Sequence, residues 1–140
     1  MTEPTIRNLW VLQEEGAQLA VIEQQLATSE HRFQAIATVE LAQTQWEKLL
    51  AGQLVRPDLI LLDWQFGSGL APKLLAQLKD SFSLRRIPII VLSRDRKAVL
   101  EVYAARGNCY VICPEDLDQL TGTIRQIEEF WLGIVTLPCE

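Results

Sequence analysis

Thirteen lysines and arginines against eighteen aspartates and glutamates give this 140-residue chain a formal charge of −5, and 49% of it is hydrophobic. That is the size and make-up of one ordinary domain, expected over 1–140 with a core from about 8 to 135 and a short tail, able to bury roughly two thirds of its unfolded surface without metal or disulfide staples. The acidic balance excludes a surface built to displace counterions from phosphate backbones, so no nucleic-acid partner is expected.

The opening Met1-Thr2-Glu3-Pro4 lacks the basic and then apolar run of a secretory signal, and no stretch of eighteen apolar residues follows; a cytoplasmic location without membrane contact is expected. Five short apolar runs then alternate with five segments of helical period, the pattern of an α/β domain with a parallel sheet. The runs fall at 9–12, 33–39, 59–62, 87–92 and 110–112. The third and fourth are continuous aliphatic stretches, as central strands covered on both faces require. The second alternates Phe33, Ala35, Ala37 and Val39 with polar or small residues and suits an edge.

Between the runs, Leu19, Ile22 and Leu26 mark one helix; Trp46, Leu49 and Leu50 a second; Leu74, Leu75, Leu78 and Phe82 a third; Val99, Val102 and Ala105 a fourth. Pro72 suits the first turn of the third helix, Pro57 and Pro88 sit at strand entries, and Gly107-Asn108 follows the fourth helix where a left-handed cap is usual. Glu115 and Asp116 suit the N-terminus of a fifth helix carrying Leu117, Leu120, Ile124, Ile127, Trp131 and Ile134. Past Ile127 that stripe outruns strands of about five residues, so Phe130, Trp131, Ile134, Val135 and Leu137 are candidates for covering a partner, a second copy included. The alternative is packing of Trp131 within its own domain.

Right-handed crossovers give the expected architecture: a doubly wound, flavodoxin-like sheet of five parallel strands in the order 2-1-3-4-5, with helices on both faces. In such sheets the functional crevice lies beyond the carboxyl ends of the strands, and here every strand end is polar. The first run is followed by Gln13-Glu14-Glu15, the third by Asp63, the fourth by Ser93 and the fifth by Cys113-Pro114. Cys109, Cys113 and Cys139 are an odd set expected to be free thiols; on one strand Cys109 and Cys113 would stand roughly 13 Å apart, beyond disulfide reach. With His31 the single histidine, no His or Cys metal cluster is available. The chemistry is thereby bounded to carboxylates, hydroxyls and backbone. A carboxylate nucleophile, acids able to hold a hard cation and a hydroxyl donor suit phosphoryl transfer onto Asp63.

At these residues the sequence resembles the receiver domain of two-component response regulators, from about Asn8 to Pro138. Arg56-Pro57-Asp58-Leu59-Ile60-Leu61-Leu62-Asp63 is similar to the family's segment ending in the phospho-accepting aspartate, and Arg86-Ile87-Pro88-Ile89-Ile90-Val91-Leu92-Ser93 to its fourth strand with a Ser or Thr. Gly107-Asn108-Cys109-Tyr110-Val111-Ile112 resembles the fifth strand with an aromatic switch residue, here Tyr110. The tail from Glu129-Phe130-Trp131-Leu132 to Thr136-Leu137-Pro138 resembles small stand-alone regulators that partner phytochrome-type histidine kinases, some of which dimerise.

The resemblance implies a phosphorelay protein rather than an enzyme. Asp63 would take a phosphoryl group from a kinase phosphohistidine, with Mg²⁺ held by Asp63, the Gln65 carbonyl and a first-strand acid. The pair after that strand is Gln13-Glu14 in one register and Glu14-Glu15 in the next. Cys113 stands where the family has a lysine, and a neutral thiol cannot supply that charge. The loop Gly67-Ser68-Gly69-Leu70 also departs from the family's Pro-Gly-x-Asp-Gly. With no output domain in the chain, a signal would pass to a downstream protein.

Plainer readings stand beside these: Asp63 as a turn residue, Glu14 and Glu15 as helix-dipole acids, Ser93 as a loop acceptor, Cys113 as a small buried hydrophobe. Arg85, Arg86, Arg94, Arg96 and Lys97 read as a solvated basic face. Two rival functions follow. A degenerate receiver would dock or dimerise without phosphate, as Cys113 suggests. A flavin- or nucleotide-binding enzyme fits badly, because the acids of Gln13-Glu14-Glu15-Gly16 repel a phosphate at the first turn.

Overall fold

The computed structural model describes residues 6–98, 102–103 and 109–134. Their chain order is β1 (Asn8–Leu12), α1 (Ala17–Leu26), β2 (Arg32–Ile36), α2 (Val39–Leu50), β3 (Leu59–Asp63), a 3₁₀ turn (Phe66–Ser68), α3 (Leu70–Asp80), β4 (Ile89–Ser93), a second 3₁₀ turn (Arg96–Ala98), β5 (Cys109–Ile112), α4 (Leu117–Ile127) and a π-helical extension (Glu128–Ile134). The five strands form one parallel sheet in the order β2-β1-β3-β4-β5, in the registers Leu9 to Phe33, Leu9 to Leu59, Ile60 to Ile89 and Ile90 to Cys109.

The two-residue period of the strands divides the core between the faces of the sheet. Trp10, Leu12, Ile60, Leu62, Ile89 and Val91 turn toward α2 and α3, where Trp46, Leu49, Leu74, Leu75 and Leu78 meet them. Leu9, Val11, Leu59, Leu61, Ile90 and Leu92 turn the other way, onto Leu19, Ile22 and Leu26 of α1 and Leu120, Ile124 and Ile127 of α4. β3 and β4 are central and sealed, and β2 is an edge whose residues alternate between exposed and half-buried until Ile36.

Several boundaries differ from the sequence expectation, each for a local reason. β2 stops at Ile36 because Thr38 leaves the sheet to cap α2, its hydroxyl accepting from the Leu41 N–H at 3.1 Å, so Val39 opens a helix. β4 starts at Ile89, after Pro88, which has no N–H to give a ladder; Ile87 is buried in the preceding turn, bonded to the Leu84 carbonyl at 3.0 Å. Leu50, Phe82 and Leu117 are exposed rather than buried. Leu50 and Leu117 are the terminal residues of α2 and α4, and Phe82 lies past the end of α3, with the Arg85 guanidinium 4.8 Å above its ring.

Asp116 caps α4 as expected, accepting from the Asp118 and Gln119 N–H groups at 2.8 and 3.4 Å. Beyond Ile127 the helix widens to π geometry, and Trp131 and Leu132 turn partly inward against the α1–α4 core. Gln25 of α1 donates to Glu128 at 3.1 Å across the same seam. Among the described side chains of that stretch, Phe130 is the large apolar one left half-exposed, edge-on to Trp131. Val99, Ala105, Gly107, Asn108, Val135, Leu137, Cys139 and the side chain of Ile134 lie outside the described residues; Val102 is helical and buried. Cys109 and Cys113 are free thiols.

Two buried polar side chains tie connections to the core. Lys79 reaches from the last turn of α3 to the carbonyls of Arg85 and Ile87, at 3.1 and 3.4 Å. The Trp46 indole donates to the Leu74 carbonyl at 3.0 Å, joining α2 to α3.

Candidate functional site

The parallel order brings the carboxyl ends of β1, β3, β4 and β5 to one edge, where a cleft of about 270 Å³ is lined by Gln13, Gln18, Asp63, Ser93, Arg94 and Cys113, with Gln65 beside them. Asp63, the last residue of β3, is half-buried at its floor. The Gln13 amide donates to Oδ2 at 3.2 Å, and the Gln65 backbone N–H donates to Oδ1 at 3.3 Å. Burial pushes the Asp63 carboxyl above its ordinary range and nearby Glu14 adds to the rise, against the Gln65 N–H, the Arg94 charge and the Gln13 amide.

Of the two registers, Gln13-Glu14 faces the site. Gln13 is buried, and Glu14 accepts from the Gly67 N–H at 2.8 Å while acting electrostatically on Asp63. Glu15 is exposed, with no bond to this group among the described contacts. Gly67 is needed where it stands: its φ is 66°, and a Cβ there would lie 2.7 Å from that of Leu70. The loop that departs from the family pattern thus keeps a backbone donor aimed at Glu14.

Ser93 is buried at the end of β4, its hydroxyl 3.4 Å from the Gln65 side-chain oxygen and accepting from the Asp95 N–H at 3.1 Å. The plain loop role expected of Ser93 is therefore present, next to Asp63. Tyr110 on β5 is partly buried and donates its hydroxyl to the Asp95 carbonyl, which links the fifth strand to the loop after Ser93. The Cys113 N–H donates to the Ser93 carbonyl at 2.7 Å, and its thiol is buried. Burial pushes that thiol up and the Asp63 charge adds to it, with Arg94 opposing, so Cys113 stays a neutral group.

Arg94 has a contact that the sequence does not display. It is exposed, as a solvated cluster requires, but it reaches over the cleft to α1. The Gln18 amide, with its oxygen turned to the guanidinium, accepts from Arg94 Nη2 and from Nε, the latter at 3.0 Å. The end of that amide is 3.7 Å from the Cys113 sulfur.

Among the described residues, no three His, Cys, Asp or Glu side chains gather as a metal cage. Two carboxylates, Glu14 and Asp63, do lie together, and hard oxygen donors of that kind fit a divalent cation that keeps several waters. A carboxyl held up by burial and by a like charge is a site that a cation would relieve.

No family model matches the chain. Response regulator Rcp1 of Synechocystis sp. (strain ATCC 27184 / PCC 6803 / Kazusa) is 39% identical over 85 residues, 59% of this chain and 58% of that protein. The probable methanogenesis regulatory protein FilR2 of Methanothrix harundinacea (strain 6Ac) is 34% identical over 79 residues, 55% of this chain and 51% of that protein. The matched segment thus spans little more than half the length of these curated relatives. Solved structures match over nearly the whole chain: the phosphorylated cyanobacterial phytochrome response regulator RcpA has a TM-score of 0.85 at 28% identity, covering 96% of this chain and all (100%) of that one. The Mn²⁺-bound form of Rcp1 has a TM-score of 0.82 at 28% identity, covering 95% of this chain and 99% of that one.

The chain is similar in sequence and in fold to response-regulator receiver domains. Its doubly wound fold and strand order are those the sequence implies. Two neutral side chains of the cleft, Gln13 and Cys113, stand among the groups around Asp63.

Proposed function

We propose that this receiver accepts a phosphoryl group on Asp63 from the phosphohistidine of a histidine kinase of the phytochrome-linked kind, and signals to a downstream protein by contact. The supporting observation is the environment of Asp63: a half-buried carboxylate at the end of a central strand, with one donor at each oxygen and Ser93 beside it. In the step, an Asp63 oxygen attacks phosphorus, the phosphorus–nitrogen bond breaks, and imidazole leaves with the electron pair. Glu14, Asp63 and the Gln65 carbonyl would hold Mg²⁺, which when bound neutralises charge on the phosphoryl oxygens. The Gln65 N–H fixes one Asp63 oxygen, Gly67 orients Glu14, and Ser93 supplies a hydroxyl donor at the cleft wall. Tyr110, through Asp95, carries the state of the Ser93 loop to β5.

The location we infer is the cytoplasm, where a kinase partner and free Cys109 and Cys113 belong. A second copy of the chain is the further partner we propose, meeting it through half-exposed Phe130.

The test is incubation of the whole chain with acetyl phosphate and Mg²⁺, followed by intact mass measurement. Wild type should gain the mass of one phosphoryl group, labile to hydroxylamine, and Asp63→Asn should not. Neutral Cys113 supports a second reading, a docking module that works without phosphate; an unreacted wild type that still binds the kinase would establish it.

A further inference from the structure

A phosphoryl group on Asp63 would raise its negative charge from one to two in a cleft that already holds the charge of Glu14, and the walls named above are otherwise neutral except at one residue. Among the described lining residues, Arg94 is the only cation. It directly follows Ser93, so its backbone is fixed by the ladder of a central strand and by the bond from the Cys113 N–H to the Ser93 carbonyl. Its guanidinium is held by the Gln18 amide, a neutral acceptor that orients the fork without cancelling its charge. Below that contact lies Cys113, small, buried and uncharged, with its sulfur 3.7 Å from the same amide. A long side chain at position 113 would compete for this space; a cysteine leaves it open.

Resting on the reading of Asp63 as acceptor, we propose that Arg94 is the phosphoryl-binding cation of this receiver: its guanidinium turns from Gln18 onto the oxygens of the group carried by Asp63, supplying from the end of β4 the positive charge that Cys113 does not supply from the end of β5. The side chain suits the task, because a planar, permanently charged fork meets phosphate oxygens with two parallel N–H donors. Its field already reaches the acceptor, where it opposes the rise that burial imposes on the Asp63 carboxyl. The cation and the neutral residue are thus paired features of one cleft, and charge has changed strand rather than been lost.

Acetyl phosphate with Mg²⁺ removes any kinase-docking role of an exposed arginine from the measurement. Intact mass against time, on the full chain, should show phosphorylation of Arg94→Ala slowed roughly a hundredfold, the scale of losing one charged donor at a developing anion. Arg94→Lys should recover part of the rate, and Arg94→Ala combined with Cys113→Lys should recover more, because the charge then returns from β5. Thermal melts of Arg94→Ala should match wild type, since the side chain is exposed. Phosphorylation of Arg94→Ala at the wild-type rate overturns the proposal. So does a loss accompanied by a lower melting temperature that neither lysine variant repairs, which marks Arg94 as structural. If wild type and Cys113→Lys both stay unreacted, the acceptor reading fails first and this one falls with it; reaction of Cys113→Lys alone would retain Asp63 and reject Arg94.

Discussion

Replacing Gln13 by glutamate tests whether the cleft is built around a cation. The amide now donates to Asp63 Oδ2 at 3.2 Å; Gln13→Glu replaces that donor with a third carboxylate beside Asp63 and Glu14, in a buried position. Without metal the change removes a hydrogen bond of about 1 kcal/mol and adds like-charge repulsion, about 5 kcal/mol at that separation with an effective dielectric constant of about 20. The repulsion has a ceiling, because a glutamate of ordinary pKa takes up a proton at pH 7 for about 4 kcal/mol. The destabilisation in EDTA should therefore fall between about 1 and 4 kcal/mol, or about 4–15 °C in melting temperature for a domain of this size. Mg²⁺ or Mn²⁺ should reverse it, since an extra carboxylate raises affinity and saturation a hundredfold above Kd returns about 2.7 kcal/mol. Thermal melts with EDTA and across a metal titration measure both halves, with Gln13→Leu as the control that loses the donor and gains no charge. An unchanged melt in EDTA, or a metal response no larger than that of Gln13→Leu, would refute the placement of a cation between Asp63 and the end of β1.

Three further predictions concern stability and assembly. Asp63 has a raised carboxyl, so its contribution is fully present below the ordinary value of 3.8 and is lost as pH rises through the folded value. Metal-free Asp63→Asn should consequently melt above wild type at pH 7, by a margin that narrows as pH falls toward 3.8; differential scanning calorimetry in EDTA would read it, and a constant margin would contradict it. Trp131→Ala should lower stability by about 2 kcal/mol, half the loss of a fully buried aromatic, without altering mass in solution. Phe130→Ala should barely move the melt yet weaken self-association in sedimentation, and a wild type that is monomeric at every concentration would remove the second copy from its partners.

The strands were readable because β3 and β4 are buried on both faces, which leaves a continuous aliphatic signature that no helix period imitates over five residues. Helix faces were readable in their middles, at Ile22, Trp46 and Leu75, and misread at Leu50, Phe82 and Leu117, because periodicity carries no information about where the neighbouring sheet ends. In the site, Asp63, Ser93 and Cys113 follow from the rule that strand ends converge. The choice between the Gln13-Glu14 and Glu14-Glu15 registers did not, since a shift of one residue along an extended chain reverses which side chain faces the cleft. The reach of Arg94 over the cleft is illegible for a different reason. Its long side chain crosses from β4 to α1, and a contact between Arg94 and Gln18 has no spacing that a sequence displays.

Trp64 directly follows Asp63 and is buried in the core shared by the sheet, α2 and α3, its backbone N–H bonded to the Leu92 carbonyl at 2.9 Å. The chain therefore carries its own optical probe one peptide bond from Asp63. An indole in a rigid apolar setting emits according to local packing, so a rearrangement at Asp63 becomes visible as a spectral change without any attached dye. Trp10 and Trp46, with ring centroids 6.1 Å apart on the same face, form a coupled pair that reports instead on the α2 side of the sheet. Substituting that pair by phenylalanine would leave Trp64 and Trp131 as emitters at opposite faces, one tuned to the cleft and the other to the C-terminal seam.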